Sequence, residues 1–284
     1  MRKFILPITA IIIMVAVFAC KTAETAVKTA FQEPVVSLHS VSTSDCNVIN
    51  AQILCKIEVK NPNHFEIPFP QTDWELFIGD TSYKTGIINT DGKIKARSTV
   101  LIDVPIKIDY VEFFKNYRAL IGSKQAGYKT ALAVKYSIPE LGEKTWSFNN
   151  AGEFPLPLLP TISAPFMSIE SADSSKVVIL VAINVENPNV FAIPSPKFNY
   201  DYQLTRKSFI RGVIQDEKPL PHSAVTTVEF RLIVNYADLF RSLPNIPLSR
   251  QTPSLLNITC DFGIPIFSGE YVNLQIPGTF PTRR

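Results

Sequence analysis

Three stretches of this chain alternate apolar and polar residues, and each of them occurs twice. Ile53, Cys55, Ile57 and Val59 form one, with Val177, Ile179, Val181, Ile183 and Val185 as its counterpart. Val100, Ile102, Val104, Ile106 and Ile108 are answered by Val228, Phe230, Leu232 and Val234. Leu132, Val134, Tyr136 and Ile138 are answered by Ile258, Cys260, Phe262 and Ile264. A period of two is that of a strand with one face buried. The second set lies 126 positions after the first, the separation between Asn61-Pro62-Asn63 and Asn187-Pro188-Asn189. An even offset keeps the same face inward in both copies, since a slip of one residue would turn every side chain over. Pro139 and Pro265 are expected to end the third strand of each copy, because proline cannot donate to a ladder.

The register holds without a net insertion: Phe65 matches Phe191, Ile67-Pro68 matches Ile193-Pro194, Gly86 matches Gly212 and Tyr110 matches Tyr236. One helix is expected in each copy. Asp109 precedes Tyr110, Phe113, Phe114 and Tyr117 at the spacing of an amphipathic face, with Glu112 three residues after it. Asn235 leads Tyr236, Leu239, Phe240 and Leu243 in the same way. Many short strands and 22 prolines favour two packed antiparallel sheets per copy. The expected fold is therefore all-β: two tandem immunoglobulin-like antiparallel β-sandwiches, at 34–156 and 157–284, each with one short helix across an open end. The prolines of Phe154–Pro160 imply an extended, semi-rigid joint.

At the N-terminus, Arg2 and Lys3 precede an uncharged run from Phe4 to Ala19, so residues 1–19 read as a secretory signal. The run ends in Val17-Phe18-Ala19-Cys20, which resembles the lipobox of bacterial lipoprotein precursors. That resemblance implies cleavage behind Ala19, a lipid on Cys20 and a membrane anchor. Residues 20–33, polar and rich in alanine and threonine, read as a tether, and the expected location is the cell envelope. Without Arg2 and Lys3 the charges nearly balance (28 Lys and Arg against 25 Asp and Glu in the whole chain), so no global field favours nucleic acid. An exported chain meets oxidising conditions. Cys46 and Cys55, nine apart, are candidates for a disulfide, although the second copy has Ala172 and Val181 there. Cys260 stands where the first copy has Val134 and reads as a buried thiol.

Asn-Pro-Asn after a strand has a local rationale. Proline fixes its own φ, forces the preceding asparagine extended and withholds a ladder donor; the asparagines can bond their own backbone and tolerate turns. Phe65 with Ile67, and Phe191 with Ile193, are then expected to re-enter the core. A hydrophobic strand running into Asn61-Pro62-Asn63, then Phe65-x-Ile67-Pro68, a Gly86-Ile87-Ile88 trio and a second long strand resembles the late-embryogenesis-abundant type 2 family, also called the water stress and hypersensitive response domain. Asn187, Pro188, Asn189, Phe191, Ile193-Pro194 and Gly212-Val213-Ile214 carry the same resemblance in the second copy. It implies a sandwich of the fibronectin III kind, no catalytic residues, no cofactor, and a role linked to desiccation or stress protection.

Catalytic chemistry finds little support. Gly122–Thr130 nearly reads as a phosphate loop, but Tyr128 stands where lysine is needed, and the segment follows a helix and enters a strand. His39, His64 and His222 are scattered, with no metal-ligand spacing. No G-x-S-x-G elbow occurs. Trp74 and Trp146, matched by Tyr200 and Tyr271 (the latter one position off), read first as core and second as a stacking platform for a glycan or peptide. The expectation is a non-enzymatic, lipid-anchored envelope protein that binds or protects macromolecules. The alternatives are an adaptor docking one envelope partner and a module for a small ligand or glycan.

Overall fold

The computed structural model describes residues 31–138, 142–215, 218–245 and 252–280; the candidate leader, Cys20 and Pro139 fall outside them. The first repeat opens with β1 (Val35–Ser44) and β2 (Asn50–Lys60), then short β3 (Ile67–Pro68), β4 (Gln71–Ile78), β5 (Thr81–Asn89) and short β6 (Lys93–Ile94). β7 (Thr99–Asp109) runs directly into helix α1 (Tyr110–Asn116), followed by β8 (Gln125–Ile138) and β9 (Gly142–Pro155). The second repeat supplies β10 (Thr161–Ala172), β11 (Lys176–Asn187), β12 (Lys197–Leu204), β13 (Lys207–Gln215) and β14 (Ala224–Asn235). Helix α2 (Tyr236–Ser242), β15 (Thr252–Asp261) and β16 (Val272–Phe280) complete it.

Each repeat sets a three-stranded sheet, β1-β2-β7 or β10-β11-β14, beside a four-stranded one, β5-β4-β8-β9 or β13-β12-β15-β16. This is the expected β-sandwich, made twice. The register repeats residue for residue. Trp74 pairs with Gly86 and Leu132, and Tyr200 with Gly212 and Ile258. Even the irregularity in β4–β5, between Leu76 and Phe77, recurs between Tyr202 and Gln203. The short pair Ile67–Ile94 returns as the bridge Ile193–Leu220.

The alternation explains the cores. Ile53, Cys55, Ile57 and Val59 on β2 are fully buried, as are Val181, Ile183 and Val185 on β11, while their neighbours point outward. Burying a valine or isoleucine side chain contributes ~1.5–3 kcal/mol, so a one-residue slip of β2 would forfeit most of the sheet's driving force.

Compact packing does not part the chain at the proline-rich segment. One unit takes the described residues up to Thr43, of Ile53–Ile106 and of Gly127–Glu153; the other takes those of Ser44–Gln52, of Lys107–Ala126 and from Phe154 on. Within this second unit Val48 joins the apolar cluster of β11, β12, β14 and β15. Tyr110 Oη donates to Pro155 O at 2.6 Å, and Leu156 N donates to Lys124 O at 2.9 Å. Leu156, Pro157 and Pro160 are buried. The expected joint is thus built into the second unit's interior.

Four expectations are corrected. β15 stops at Asp261, because Gly263 turns to positive φ and donates to Asp261 Oδ1; Phe262 and Ile264 are buried beyond the strand. Phe65 is 45% exposed, against Phe31, whereas Phe191 is buried as expected. Asp109 caps α1 by accepting from Glu112 N at 2.9 Å, but Asn235 makes no such bond, and Phe240 on α2 is half exposed where Phe114 on α1 is buried. Finally, Cys46 and Cys55 are free thiols. Cys46 lies in the turn before β2 and Cys55 lies five residues into that strand, ~16 Å along it, and a disulfide needs Cα atoms within ~7 Å.

Candidate functional site

Both Asn-Pro-Asn corners are buried, and their side chains do more than close a local turn. Asn61 Nδ2 donates to Phe65 O (2.8 Å), Lys95 O (3.0 Å) and Ile94 O (3.3 Å), while its Oδ1 accepts from Asn63 N at 2.9 Å. One amide therefore ties the strand end to the β3–β6 pair. Asn63 then reaches back: its Nδ2 donates to Gln32 O at 2.8 Å and its Oδ1 accepts from Gln32 N at 2.7 Å. That paired bond imitates a strand partner for the segment leading into β1. In the second repeat Asn187 bonds Phe191 O, Pro221 O and Leu220 O, and Asn189 clasps Leu158 N and O at 2.7 and 2.9 Å. Pro62 and Pro188 sit between these amides, where no ladder donor is required. The motif residues named from sequence are brought together, in an architectural role.

The glycine of each Gly-led trio is explained by a close approach. A Cβ on Gly86 would stand 2.4 Å from the Trp74 ring, and one on Gly212 would stand 2.4 Å from Tyr200 Oη. The aromatic lies flat across the backbone of the neighbouring strand, and Tyr200 also stacks on Phe230 at 6.0 Å. These two aromatics are packing elements. Trp146 is half-buried with Lys144 over its ring at 5.6 Å, and Tyr271 is exposed.

The thiols and histidines do not converge. Burial pushes Cys55 up to about 11, with a Thr130 hydrogen bond opposing, and burial with Asp261 beside it pushes Cys260 up to about 12. Such thiols are poor nucleophiles. His39 approaches Glu58 at 3.9 Å and His64 meets Arg97 at 3.1 Å, both at the surface. Among the described residues no three His, Cys, Asp or Glu side chains gather as metal ligands. Gly122–Thr130 passes from a short 3₁₀ turn into β8, as read from the sequence.

What sequence reasoning missed is the outer face of the sheet β5-β4-β8-β9. Three adjoining depressions of about 640, 470 and 450 Å³ run along β4 and β8. Their floor is small: Ala131, Ala133, Ser147 and Ala151. Their walls carry Asp73, Glu75, Phe77, Ile87 and Asn149. Lys135 binds Asp73 at 2.5 Å and Lys129 binds Asp80 at 2.8 Å. The Lys135 hydrogen bond, then that of Gln71, holds Asp73 below the usual carboxylate range, and Asp73 in turn raises Lys135. In the second repeat Asn257 and Thr259 replace the two alanines, and Thr259 Oγ1 donates to Asn273 Oδ1 at 3.0 Å. Asp201, at the position of Glu75, is tied by Gln203, Ser208 and Arg211, which outweigh its burial and lower its pKa. Glu75 faces Phe77, Ser82 and Thr85 at those positions. The only signal in the sequence was this substitution pattern between copies.

Two sandwiches, each with a buried asparagine corner and a three-on-four sheet order, define a tandem β-sandwich protein. The chain belongs to the family described as Late embryogenesis abundant protein, whose profile matches residues 56–152 and 182–276, once in each repeat. The Probable desiccation-related protein LEA14 of Arabidopsis thaliana is 26% identical over 129 residues, 45% of this chain and 85% of that protein. The Desiccation protectant protein Lea14 homolog of Glycine max is 24% identical, over 46% of this chain and 87% of that protein. The solution structure of AT1g01470 from Arabidopsis thaliana aligns with a TM-score of 0.35 and 25% identity, over 46% of this chain and 86% of that one.

Proposed function

We propose that this chain is a non-enzymatic, lipid-anchored envelope protein whose two modules bind and shield other macromolecules under desiccation or envelope stress. The observation carrying this reading is that buried polar chemistry is spent on architecture in both repeats. The asparagine amides hold backbone, and the thiols of Cys55 and Cys260 are buried in the core. The desiccation-related names of the plant relatives support the protective half. Cys20 after its apolar run supports the anchor. The purified full chain, dried with lactate dehydrogenase, should preserve more activity than an equal mass of albumin; equal recovery overturns protection. Cys20→Ala should leave the precursor unprocessed and unlipidated, and normal maturation of that variant overturns the anchor.

A second reading, an adaptor for one envelope partner, is favoured by the outer face of β10-β11-β14. Phe166 and Ile233 are 53% and 52% exposed there, beside Val178, Leu180 and Ala182. The first repeat carries Gln52, Lys56 and Lys107 at the positions of Val178, Ala182 and Ile233. Exposed apolar patches mark partners. Crosslinking in intact cells that captures one dominant protein favours the adaptor, and a diffuse set favours protection.

A further inference from the structure

We infer that the Asn-Pro-Asn end of the first repeat docks on an anionic bilayer, with Phe31 and Phe65 entering the lipid interface and a basic rim meeting the headgroups. This rests on the lipid-anchor reading above and adds the surface with which the anchored chain meets its membrane. The corner gathers the patch. Phe31 and Phe65 lie 6.3 Å apart between ring centroids, and Phe65 is 45% exposed. Asn61 Nδ2 donates to Lys95 O and Arg97 N donates to Asn63 O, both at 3.0 Å. Arg97 Nη2 lies 3.1 Å from His64 Nε2, and Lys93 pairs with Pro68 across β3–β6. Lys60 directly precedes the corner, and these four cations are all exposed. Within 60–68 and 91–98 they meet two carboxylates, Glu66 and Asp91, while Glu33 is bound by Lys144.

The second repeat shows that this chemistry is not a need of the fold. Its corner has Glu186, Pro219, Pro221 and Ser223 in place of the four cations, and within 186–194 and 217–224 one lysine stands against two glutamates. Phe191, the counterpart of Phe65, is buried in the apolar cluster of its repeat. The corners differ in what the chain places before them: a folded repeat precedes the second, whereas Cys20 stands 11 residues before Phe31 at the first. Such a segment reaches ~40 Å at most, so a lipid on Cys20 would hold this end near the bilayer at an effective concentration of the order of millimolar. A weak surface then suffices. Each Lys or Arg beside an anionic leaflet strengthens binding about fivefold, and exposed phenylalanines lie favourably at the boundary of headgroups and acyl chains. A soluble polyanion would use the cations and leave both rings in water.

The test reconstitutes the full chain in phosphatidylcholine vesicles with and without phosphatidylglycerol, with brominated acyl chains as fluorescence quenchers. Phe65→Trp reports on the corner, and Thr81→Trp reports from the other end of β4, where Thr81 pairs with Ile78. With phosphatidylglycerol the emission added by Phe65→Trp should be quenched about twofold or more, and that added by Thr81→Trp should be unchanged. Lys93→Gln with Lys95→Gln should lower the docked-to-undocked ratio about fivefold for each charge removed, and Lys93→Arg with Lys95→Arg should retain it. Far-ultraviolet dichroism checks that each variant is folded, and Phe31→Trp serves if Phe65→Trp is not. Equal quenching of the two reporters, the same quenching with and without phosphatidylglycerol, or no effect of the lysine variants overturns the assignment. So does a corner reporter shielded without quenching in a sample that sediments as a dimer, which gives the face to a second copy. Mass spectrometry of the same sample reads the lipid on Cys20, and a chain found without it is added to the same vesicles. The mass thus reads the anchor and the quenching reads the docking, so either can fail while the other stands.

Discussion

Asn63 clasps Gln32 and Asn189 clasps Leu158, with equivalent atoms and bond lengths within 0.1 Å. On the outer faces of the same two sandwiches, Ala131 and Ala133 line a depression, whereas Asn257 and Thr259 stand at those positions and Thr259 bonds Asn273. The three-stranded faces diverge in the opposite sense: Lys56 bridges Asp103 on β2–β7, whereas Ala182 sits opposite Glu229 on β11–β14 and Phe166 on β10. Inward positions and corners are thus held in common, while each outward face has its own chemistry. A fold duplicated for bulk alone would have no reason to polarise its faces differently. The difference teaches that the corner sets shape and the faces set what is met.

The comparison is tested hardest at the corner. Asn61→Ala removes the partner of three backbone carbonyls and of Asn63 N in a buried site, and Asn187→Ala does the same in the second repeat. Leaving buried groups unpaired costs ~1–3 kcal/mol each, partly recovered by water, so a loss of about 3 kcal/mol is expected from either change in urea unfolding. Losses that agree within about 0.5 kcal/mol, the scatter of independent sites, sharpen the equivalence. A loss below about 1 kcal/mol at one corner breaks it.

The glycine–aromatic pairs come next. Gly86→Ala and Gly212→Ala each drive a methyl group into an aromatic ring, and overpacking of this kind costs ~1–3 kcal/mol. If the ring is the cause, Gly86→Ala in a Trp74→Leu background should cost less than half as much. A double-mutant cycle by urea unfolding measures this directly. An unchanged cost would assign the glycine to backbone conformation instead.

Much of this was legible in the sequence. A period of two with an even offset fixed which side chains of β2, β7, β11 and β14 face inward, because burial depends only on pleat and register. The Asn-Pro-Asn turns were legible as turns, but the clasp on Gln32 and Leu158 was not, since partners 31 residues away leave no local trace. Outward residues such as Asp73, Glu75 and Ala131 look like any solvated strand face. Only the depth between side chains on four neighbouring strands makes a trough of them. The Cys46–Cys55 pairing failed because spacing alone does not say where a turn ends and a strand begins. Phe65 failed as a core anchor because it packs against Phe31 at the surface and stays 45% exposed.

The smallest expected effect concerns the helices, where the repeats share a backbone but not a bond. Asp109 has φ −81° and ψ 124°, and Asn235 has φ −78° and ψ 128°, so both are poised as N-caps. Asp109 accepts from Glu112 N, whereas the Asn235 amide donates to Asp238 Oδ2 at 3.4 Å. Asp109→Ala should therefore cost about 1 kcal/mol, the usual value of a cap, and Asn235→Ala should change stability by less than about 0.5 kcal/mol. Asn235→Ser offers a hydroxyl acceptor without a second negative charge beside Asp238, and should gain about 0.5 kcal/mol or more. Only Leu239 of α2 is buried, against three residues of α1, so amide exchange should be faster in α2 and should slow in Asn235→Ser. Equal exchange in both helices would mean that packing of the first turn, and not the cap, sets their stability.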